Sequence, residues 1–309
     1  MSVASSASPP CILSDLLAVW PARAGLGEGL SWSPRQQALY WVDIVRQRLY
    51  RYTPANGHRE RWYFDEPITA VAERRDGPGL LVSLRSGFAY FEPEAHDGYG
   101  RLRRLHEPEP ERLGNRFNDA KCDPLGRYWA STMDAAAHAA TGALYRYDGD
   151  GRCTRHLDRL FAVANGPCWS PDGTTLYLSH TSGGEVWAFD FDLERGELSR
   201  QRVWLSLAAG DGLPDGLTTD VLGRVWVARW GAACVTCHAP DDARELFRLA
   251  LPASQVSNVA FGGPTLQTLF ITTGRFGLSA EQLQAEPLAG ALFAIETDTT
   301  GLPPTPYAG

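Results

Sequence analysis

The chain has 309 residues, of which 44% are hydrophobic and ten are tryptophan, so it carries enough apolar material for a large core. Its formal net charge is -7 with both signs mixed, and neither a basic stripe for nucleic acid nor a basic amphipathic segment for a membrane surface is present. No run of about 18 apolar residues occurs, and the N-terminus lacks the features of a secretion signal. We therefore expect no nucleic-acid or membrane partner and a cytoplasmic location.

The first ten residues are small, and we expect residues 1–10 to form a flexible tail and residues 11–309 a single domain. Within this domain a short β-type run follows a turn six times, at spacings of 41, 48, 48, 49 and 44 residues. These runs begin near Leu39, Leu80, Tyr128, Leu176, Val225 and Leu269. Helical solenoids have similar periods, but the aromatic and β-branched residues of the runs favour strands.

A further strand is predicted after each run, over residues 48–52, 87–91, 143–147, 185–189, 233–237 and 291–295. One short helix is predicted, from Ser279 to Glu286. The sequence thus predicts an all-β fold, a six-bladed β-propeller with four-stranded blades around a central channel. The six cysteines are scattered and lie mostly in apolar strand-like segments, which favours buried free thiols over disulfides.

A polar residue recurs ten to twelve residues before each run, as Glu28, Thr69, Asn118, Asn165, Asp215 and Ser257. Equivalent positions of a cyclic repeat lie on a common ring, and here each would open the innermost strand at the channel mouth. Glu28, Asn165 and Asp215 offer only oxygen donors, which suit Ca²⁺, Mg²⁺ or Mn²⁺, and an all-oxygen Zn²⁺ site stays open. The ring therefore predicts one divalent metal ion, with coordination positions left for water or substrate.

Four motifs surround these positions: Gly27-Glu-Gly-Leu-Ser-Trp32, Arg116-Phe-Asn-Asp-Ala-Lys121, Asn165-Gly166 with Trp169-Ser-Pro-Asp-Gly173, and Pro214-Asp-Gly216 with Gly223-Arg-Val-Trp-Val227. Together they resemble the motifs of the SMP-30/gluconolactonase family, also called regucalcin-like proteins. The resemblance runs from about Leu26 to Gly309, essentially the whole chain.

This resemblance implies a propeller that binds one divalent ion and hydrolyses a sugar-acid lactone, such as glucono-, arabino- or xylonolactone, to the free acid. By motif, Glu28, Asn165 and Asp215 fall on the family's metal ligands, and Arg116 and Asn118 on its substrate contacts. Asp215 is also implied as the catalytic base. The chemistry agrees, because a metal ion polarises a carbonyl, a carboxylate accepts a proton from water, and a guanidinium offers a planar fork of donors.

Two other functions stay open: a non-catalytic calcium-binding or regulatory propeller, and a hydrolase of another ester class. Arg116 beside the ring favours turnover, since a site that only binds a cation needs no guanidinium. Lys121 lies three residues beyond Asn118, so strand alternation predicts that it faces the opposite side and is structural. His180 and Ala136 replace acidic residues usual in the family, which bears on the preferred lactone.

Overall fold

The computed structural model describes residues 8–94 and 98–309, and its regular structure is almost entirely β-strand. The strands are β1 (Leu17–Trp20), β2 (Gly27–Ser33), β3 (Ala38–Asp43), β4 (Arg48–Thr53), β5 (His58–Tyr63), β6 (Ile68–Glu73), β7 (Leu80–Leu84), β8 (Phe88–Pro93), β9 (Gly100–His106), β10 (Asn115–Cys122), β11 (Tyr128–Asp134), β12 (Gly142–Tyr147), β13 (Cys153–Phe161), β14 (Ala164–Trp169), β15 (Thr175–His180), β16 (Glu185–Asp192), β17 (Glu197–Ser206), β18 (Leu213–Thr219), β19 (Val225–Trp230), β20 (Cys234–His238), β21 (Glu245–Ala250), β22 (Val256–Gly262), β23 (Thr268–Thr273) and β24 (Leu292–Glu296).

The helical structure is short. A turn of 3₁₀ helix covers Thr181–Gly183, and the helix α1 (Ala280–Ala285) begins after Ser279, as the sequence predicts. The Ser279 hydroxyl and the Gln282 side chain form a reciprocal capping box, which satisfies two backbone N–H groups at this helix start. No helix in the described part of the chain has the length and apolar character needed to cross a membrane. The cytoplasmic location stays a prediction.

The strands form six four-stranded antiparallel sheets, each one blade of the ring. Blades 1 to 5 are β2–β5, β6–β9, β10–β13, β14–β17 and β18–β21, and blade 6 contains β22, β23, β24 and β1. The first strand of each blade contacts the first strands of both neighbouring blades around the whole circle. These six strands therefore line a central channel, and the predicted six-bladed propeller is confirmed.

The ring is closed by a strand from the other end of the chain. β1 pairs antiparallel with β24, with Leu17 opposite Ala294 and Ala18 opposite Phe293. The N-terminal strand is thus the outermost strand of the last blade. In each of the other five blades the four strands follow one another in the chain. In blade 6 the pairing of β1 with β24 joins the N-terminal part of the chain to the C-terminal part.

Most of the predicted tail, residues 1–7, lies outside the described residues. Next to it, the Ser8 carbonyl accepts a hydrogen bond of 2.7 Å from Arg224, and the Cys11 amide donates to Asp298 at 2.8 Å. The flexibility of residues 1–10 and the single domain over residues 11–309 stay predictions.

In blades 3 and 5 the same kind of turn follows the inner strand, at the strand end that lies away from the polar ring. In blade 5 the buried Asp220 carboxylate accepts hydrogen bonds from the Arg224 guanidinium at 2.7 Å and the Trp226 indole at 3.0 Å, and from backbone amides of the turn. Asp123 makes the same set of contacts in blade 3. A buried charge with these partners in place holds a rigid geometry, so in these two blades the turn sets where the inner strand ends and the next strand begins.

All six cysteines are free. Four of them are buried, as predicted: Cys122, Cys168, Cys234 and Cys237. Cys153 is partly buried, whereas Cys11 is exposed because it lies on the N-terminal segment outside the blades.

The C-terminal tail crosses the end of the channel that lies away from the polar ring. It covers a cavity of about 260 Å³ lined by residues of all six inner strands and by residues 302–305 of the tail. Beyond this cavity the buried Tyr307 pairs its backbone with Glu73 and Arg75 of blade 2, and its hydroxyl donates to the Asp148 carbonyl of blade 3 at 2.8 Å. The tail therefore runs across the lower mouth of the channel.

Candidate functional site

Each inner strand has a β-bulge at its recurring polar residue. In blade 3 the pairing with β11 slips by one residue between Phe117 and Ala120, and the other five inner strands slip at the equivalent place. A bulge breaks the alternation of side chains. As a result Asn118 and Asp119 both contact the inner strand of the neighbouring blade 4, while Phe117 and Ala120 pack into the core between blades.

The upper mouth of the channel is the end at which the recurring polar residues lie. A chain of hydrogen bonds runs along it through Arg116, Asn118 and Asn165. Arg116 Nη1 donates to Asn118 Oδ1 at 2.7 Å. Asn118 Nδ2 donates to Asn165 Oδ1 at 2.7 Å and to the Ala164 carbonyl at 2.8 Å. Asn165 Nδ2 in turn donates to Thr181 Oγ1 at 2.9 Å. Both amide protons of Asn118 and one amide proton of Asn165 thus have an acceptor, and this fixes which way each amide faces.

Glu28 is buried at the start of β2, with 4% of its surface exposed. Its Oε2 accepts hydrogen bonds from the Gly29 amide at 3.2 Å and from Asn258 Nδ2 at 2.8 Å. The other oxygen, Oε1, accepts no hydrogen bond from the described residues. Glu28 therefore keeps one free carboxylate oxygen.

Asp119 is a site residue that the sequence reasoning missed. Its Oδ1 accepts from the Ala120 amide at 2.8 Å, and its Oδ2 accepts from the Gly166 amide at 3.0 Å and from Asn258 Nδ2 at 3.2 Å. Since both oxygens already have donors, Asp119 is an anchored negative charge at the floor of the site.

Asn258 is the second missed residue. A signal for both was present in the sequence, because the residue after the ring position is glycine in blades 1, 4 and 5 but Asp119 in blade 3 and Asn258 in blade 6. A bulge presents that following residue to the channel, so a polar side chain there joins the site.

Asp215 lies near the start of β18, and its carbonyl accepts a hydrogen bond from Ser179 Oγ at 2.7 Å. Its carboxylate has the Gly216 backbone amide as a donor. Asp215 is 5% exposed, so its charge is almost fully removed from water.

The carboxylates at this mouth repel one another. Burial raises the pKa of Glu28 well above its usual range, and the charges of Asp215 and Asp119 raise it further. Burial likewise raises the pKa of Asp215, with Asp119 adding to the rise and Arg116 opposing it. Burial lowers the pKa of Arg116 to about 10, so the guanidinium stays charged at neutral pH. Burial and mutual repulsion therefore disfavour the charged forms of these carboxylates while the site holds no cation.

Two of the six ring positions do not join the site. Thr69 Oγ1 donates to the Ser83 carbonyl at 3.4 Å, and Ser257 Oγ donates to the Gly27 carbonyl of blade 1. Both hydroxyls therefore donate to backbone carbonyls and not to the other polar side chains of the ring. In blade 6 it is Asn258, one residue further, that faces Glu28.

Lys121 does not face away from the channel, so the prediction from strand alternation is wrong. Its Nζ donates at 2.7 Å to the Leu217 carbonyl on the inner strand of blade 5, two blades away. The bulge before Ala120 shifts the alternation and turns Lys121 toward the channel, where it also lines the lower cavity. Lys121 is the only lysine of the chain, and its charge counteracts the rise that burial causes in the pKa of Asp119.

The two departures from the family pattern lie at the rim of the upper mouth. His180 packs against Trp187, with ring centroids 4.4 Å apart, so it is a packed side chain. Ala136 is exposed, and its amide donates to Asp134 Oδ1 at 3.2 Å.

The residues present fit a hard divalent ion. Among the described residues, no three His, Cys, Asp or Glu side chains are arranged to hold an ion by themselves, so a site here would also use other oxygen donors. Glu28 Oε1 is free, the Asp215 carboxylate is buried with few donors, and Asn165 Oδ1 has a second lone pair. A cation at this position would neutralise carboxylates that otherwise repel one another.

Residues 26–275 match a family model described as the SMP-30/Gluconolactonase/LRE-like region. The chain is 34% identical over 289 residues to an L-arabinolactonase of Azospirillum brasilense, with 93% of each chain covered. It is 34% identical over 287 residues to a pentonolactonase of Haloferax volcanii, with 90% of this chain and 93% of that chain covered. It also superposes on a solved structure of regucalcin, a calcium-binding protein of Agrobacterium tumefaciens, with a TM-score of 0.87 and 26% identity over 94% of this chain and 96% of that chain.

Proposed function

Because the chain belongs to the SMP-30/gluconolactonase/LRE-like family, we propose that it is a lactonase that hydrolyses a sugar-acid lactone with the help of one divalent ion. The observation that carries this proposal is Arg116 beside a cluster of buried oxygen donors. A site that only binds a cation gains nothing from a guanidinium, because the two positive charges repel. A partly negative substrate oxygen, in contrast, is attracted by both the guanidinium and the ion.

Glu28, Asn165 and Asp215 would hold the ion, which is Ca²⁺, Mg²⁺, Mn²⁺ or Zn²⁺ by the chemistry of these donors. The similarity to a calcium-binding protein supports such a site. When bound, a divalent ion polarises a carbonyl and lowers the pKa of nearby water.

Asp215 acts as the general base and takes a proton from the water that attacks the lactone carbonyl. The raised pKa of Asp215 suits this role, because a base is most effective when its pKa lies near the working pH. The new carbon–oxygen bond to water forms, the ring carbon–oxygen bond breaks, and the ring oxygen leaves as a hydroxyl after taking up a proton. The product is the open-chain sugar acid.

Arg116 and Asn118 bind the substrate. The Arg116 guanidinium offers donors to the carbonyl oxygen or the sugar hydroxyls. Asn118 has both amide protons engaged, so its contact with the sugar uses the remaining lone pair of Oδ1, which would accept from a hydroxyl. Asn118 also orients Arg116 through the same oxygen.

The substrate class is an aldonolactone, such as glucono-, arabino- or xylonolactone. The two lactonase relatives act, by their names, on five-carbon lactones, which supports including both pentonolactones in any assay. A pH-stat assay of these three lactones, on chelated protein with each metal ion restored in turn, tests the proposal. We expect turnover with at least one lactone and ion, and loss of turnover in excess chelator.

A second function is favoured by the regucalcin similarity: a calcium-binding or regulatory propeller without turnover. The same assay separates the two. Ion binding together with no acid release from any of the lactones would favour the binding protein, whereas release from another ester class would favour a different hydrolase.

A further inference from the structure

One amide outside the predicted ring contacts two carboxylates of the site. Asn258 Nδ2 donates to Glu28 Oε2 at 2.8 Å and to Asp119 Oδ2 at 3.2 Å, and the residue is 2% exposed. We propose that Asn258 is a positioning residue that holds Glu28 in its ion-binding orientation. This inference rests on the proposed role of Glu28 as an ion ligand.

The direction of the Asn258 amide follows from its partners. Its Nδ2 and not its oxygen faces Glu28 and Asp119, which suits the ionised carboxylates of an ion-bound site because they only accept hydrogen bonds. Hydrogen bonds to a charged acceptor are about twice as strong as neutral ones. With Oε2 of Glu28 engaged in this way, the carboxylate cannot rotate freely, and Oε1 stays directed at the ion position.

Asp119 makes the support rigid. Its own oxygens are held by the backbone amides of Ala120 and Gly166, which belong to two neighbouring inner strands. Asn258 is therefore clamped between a fixed carboxylate and Glu28. On its other side lies Gly216, where an added Cβ would come within 2.5 Å of Asn258 Cγ. The amide thus has no room to swing away.

Removing a hydrogen-bond partner that orients a metal ligand typically weakens metal binding by about 10–100-fold. We expect this loss for Asn258→Leu, which keeps the branched shape of the side chain but removes the donor.

The experiment is a calorimetric titration of the ion-free protein, prepared with a chelator that is then removed. Ca²⁺ and Mn²⁺ are titrated separately, and no lactone is present. A matched control is Asn115→Leu, since Asn115 is also a buried asparagine whose Nδ2 donates to a carboxylate, that of Glu109 at 2.9 Å. The control should lose stability and keep the ion affinity of wild type. Wild-type ion affinity in Asn258→Leu would overturn the proposal.

A double variant separates positioning from direct ligation. If Asn258 acts through Glu28, adding Asn258→Leu to Glu28→Gln should cost little further ion affinity, measured at millimolar Ca²⁺. If the two losses multiply, Asn258 acts independently of Glu28 and the proposal is wrong.

Folding is followed by thermal unfolding of each chelated variant. Should Asn258→Leu not fold, Asn258→Ser keeps a donor and a smaller volume, and an ion affinity between those of wild type and Glu28→Gln is then expected; full wild-type affinity would overturn the proposal. Wild-type protein that binds ions but releases no acid would contradict the proposed function alone. Wild-type protein that binds no divalent ion would contradict both.

Discussion

Replacing Asp215 with asparagine should make the ion-free protein more stable while it strongly lowers kcat. The carboxylates of Glu28, Asp119 and Asp215 share one mouth with the cations of Arg116 and Lys121, and the raised pKa of Asp215 shows that burial and Asp119 disfavour its charge. Asparagine keeps the size and one oxygen but removes that charge.

The expected gain in stability follows from the relief of repulsion. Two unit charges about 5–8 Å apart repel by roughly 2–3 kcal/mol at an effective dielectric constant of about 20. We therefore expect the free energy of unfolding of the ion-free Asp215→Asn variant to rise by about 1–3 kcal/mol, equivalent to a melting temperature higher by about 2–6 °C in a chain of this size.

The same substitution should impair catalysis. Loss of a general base lowers kcat by about 10²-fold or more, which corresponds to roughly 2.7 kcal/mol of activation free energy. Ion affinity should fall as well, because one charged ligand becomes neutral. The gain in stability should therefore disappear in excess Ca²⁺, where wild type gains more from binding.

The assay is thermal unfolding at neutral pH in chelator and in Ca²⁺, together with lactone kinetics at saturating ion. Asp241→Asn is the control, since Asp241 is exposed and should change neither quantity. A lower melting temperature of ion-free Asp215→Asn would refute the electrostatic reasoning. Near-normal turnover would show that another group takes the proton.

Three further predictions concern the same mouth. Arg116→Ala should raise KM and lower kcat by about 10²-fold if the guanidinium also stabilises the developing oxyanion, with folding and ion binding kept; lactone kinetics equal to wild type would remove Arg116 from the site. Gly216→Ala should weaken Ca²⁺ binding by about tenfold in calorimetry, because the added methyl would lie 2.5 Å from Asn258 Cγ and displace it. Ion affinity should rise with pH, because the two buried ligand carboxylates have raised pKa values without the ion and must lose their protons to bind it. Calorimetry at several pH values, in buffers of different ionisation enthalpy, should reveal proton release, and a pH-independent affinity would contradict this.

The repeat period and the recurring polar residue were sufficient to predict the blades and the strand ends that form the upper mouth. The closure of blade 6 was not predictable in this way, because β1 lies before the first repeat and shares no pattern with it. The sixth repeat simply lacks its outer strand, and only the three-dimensional pairing shows which segment supplies it.

The inner faces of the strands were harder to predict, because strand alternation fails at a bulge. Counting by twos from Asn118 turns Lys121 away from the channel, whereas the slip before Ala120 turns it back, and the same slip brings Asp119 into the site. Bulges leave little trace in a single sequence unless a special residue accompanies them. Here a signal existed in comparison between repeats, at the residue after each ring position.

The residue directly after each ring position also explains how the site has room for both the proposed ion ligands and the side chains that support them, Asp119 and Asn258. In the three blades that carry the proposed ion ligands it is glycine, at Gly29, Gly166 and Gly216. A bulge directs this position at the axis, and a side chain from every blade would overfill a narrow channel. At Gly216 the missing side chain leaves the space that Asn258 of the neighbouring blade 6 occupies, whereas an added Cβ at Gly29 would meet the backbone of Thr69 and Ala70 in blade 2. Gly216 is therefore needed for the supporting side chain of the next blade, and a methyl group there should disturb Glu28, a ligand of another blade, through Asn258.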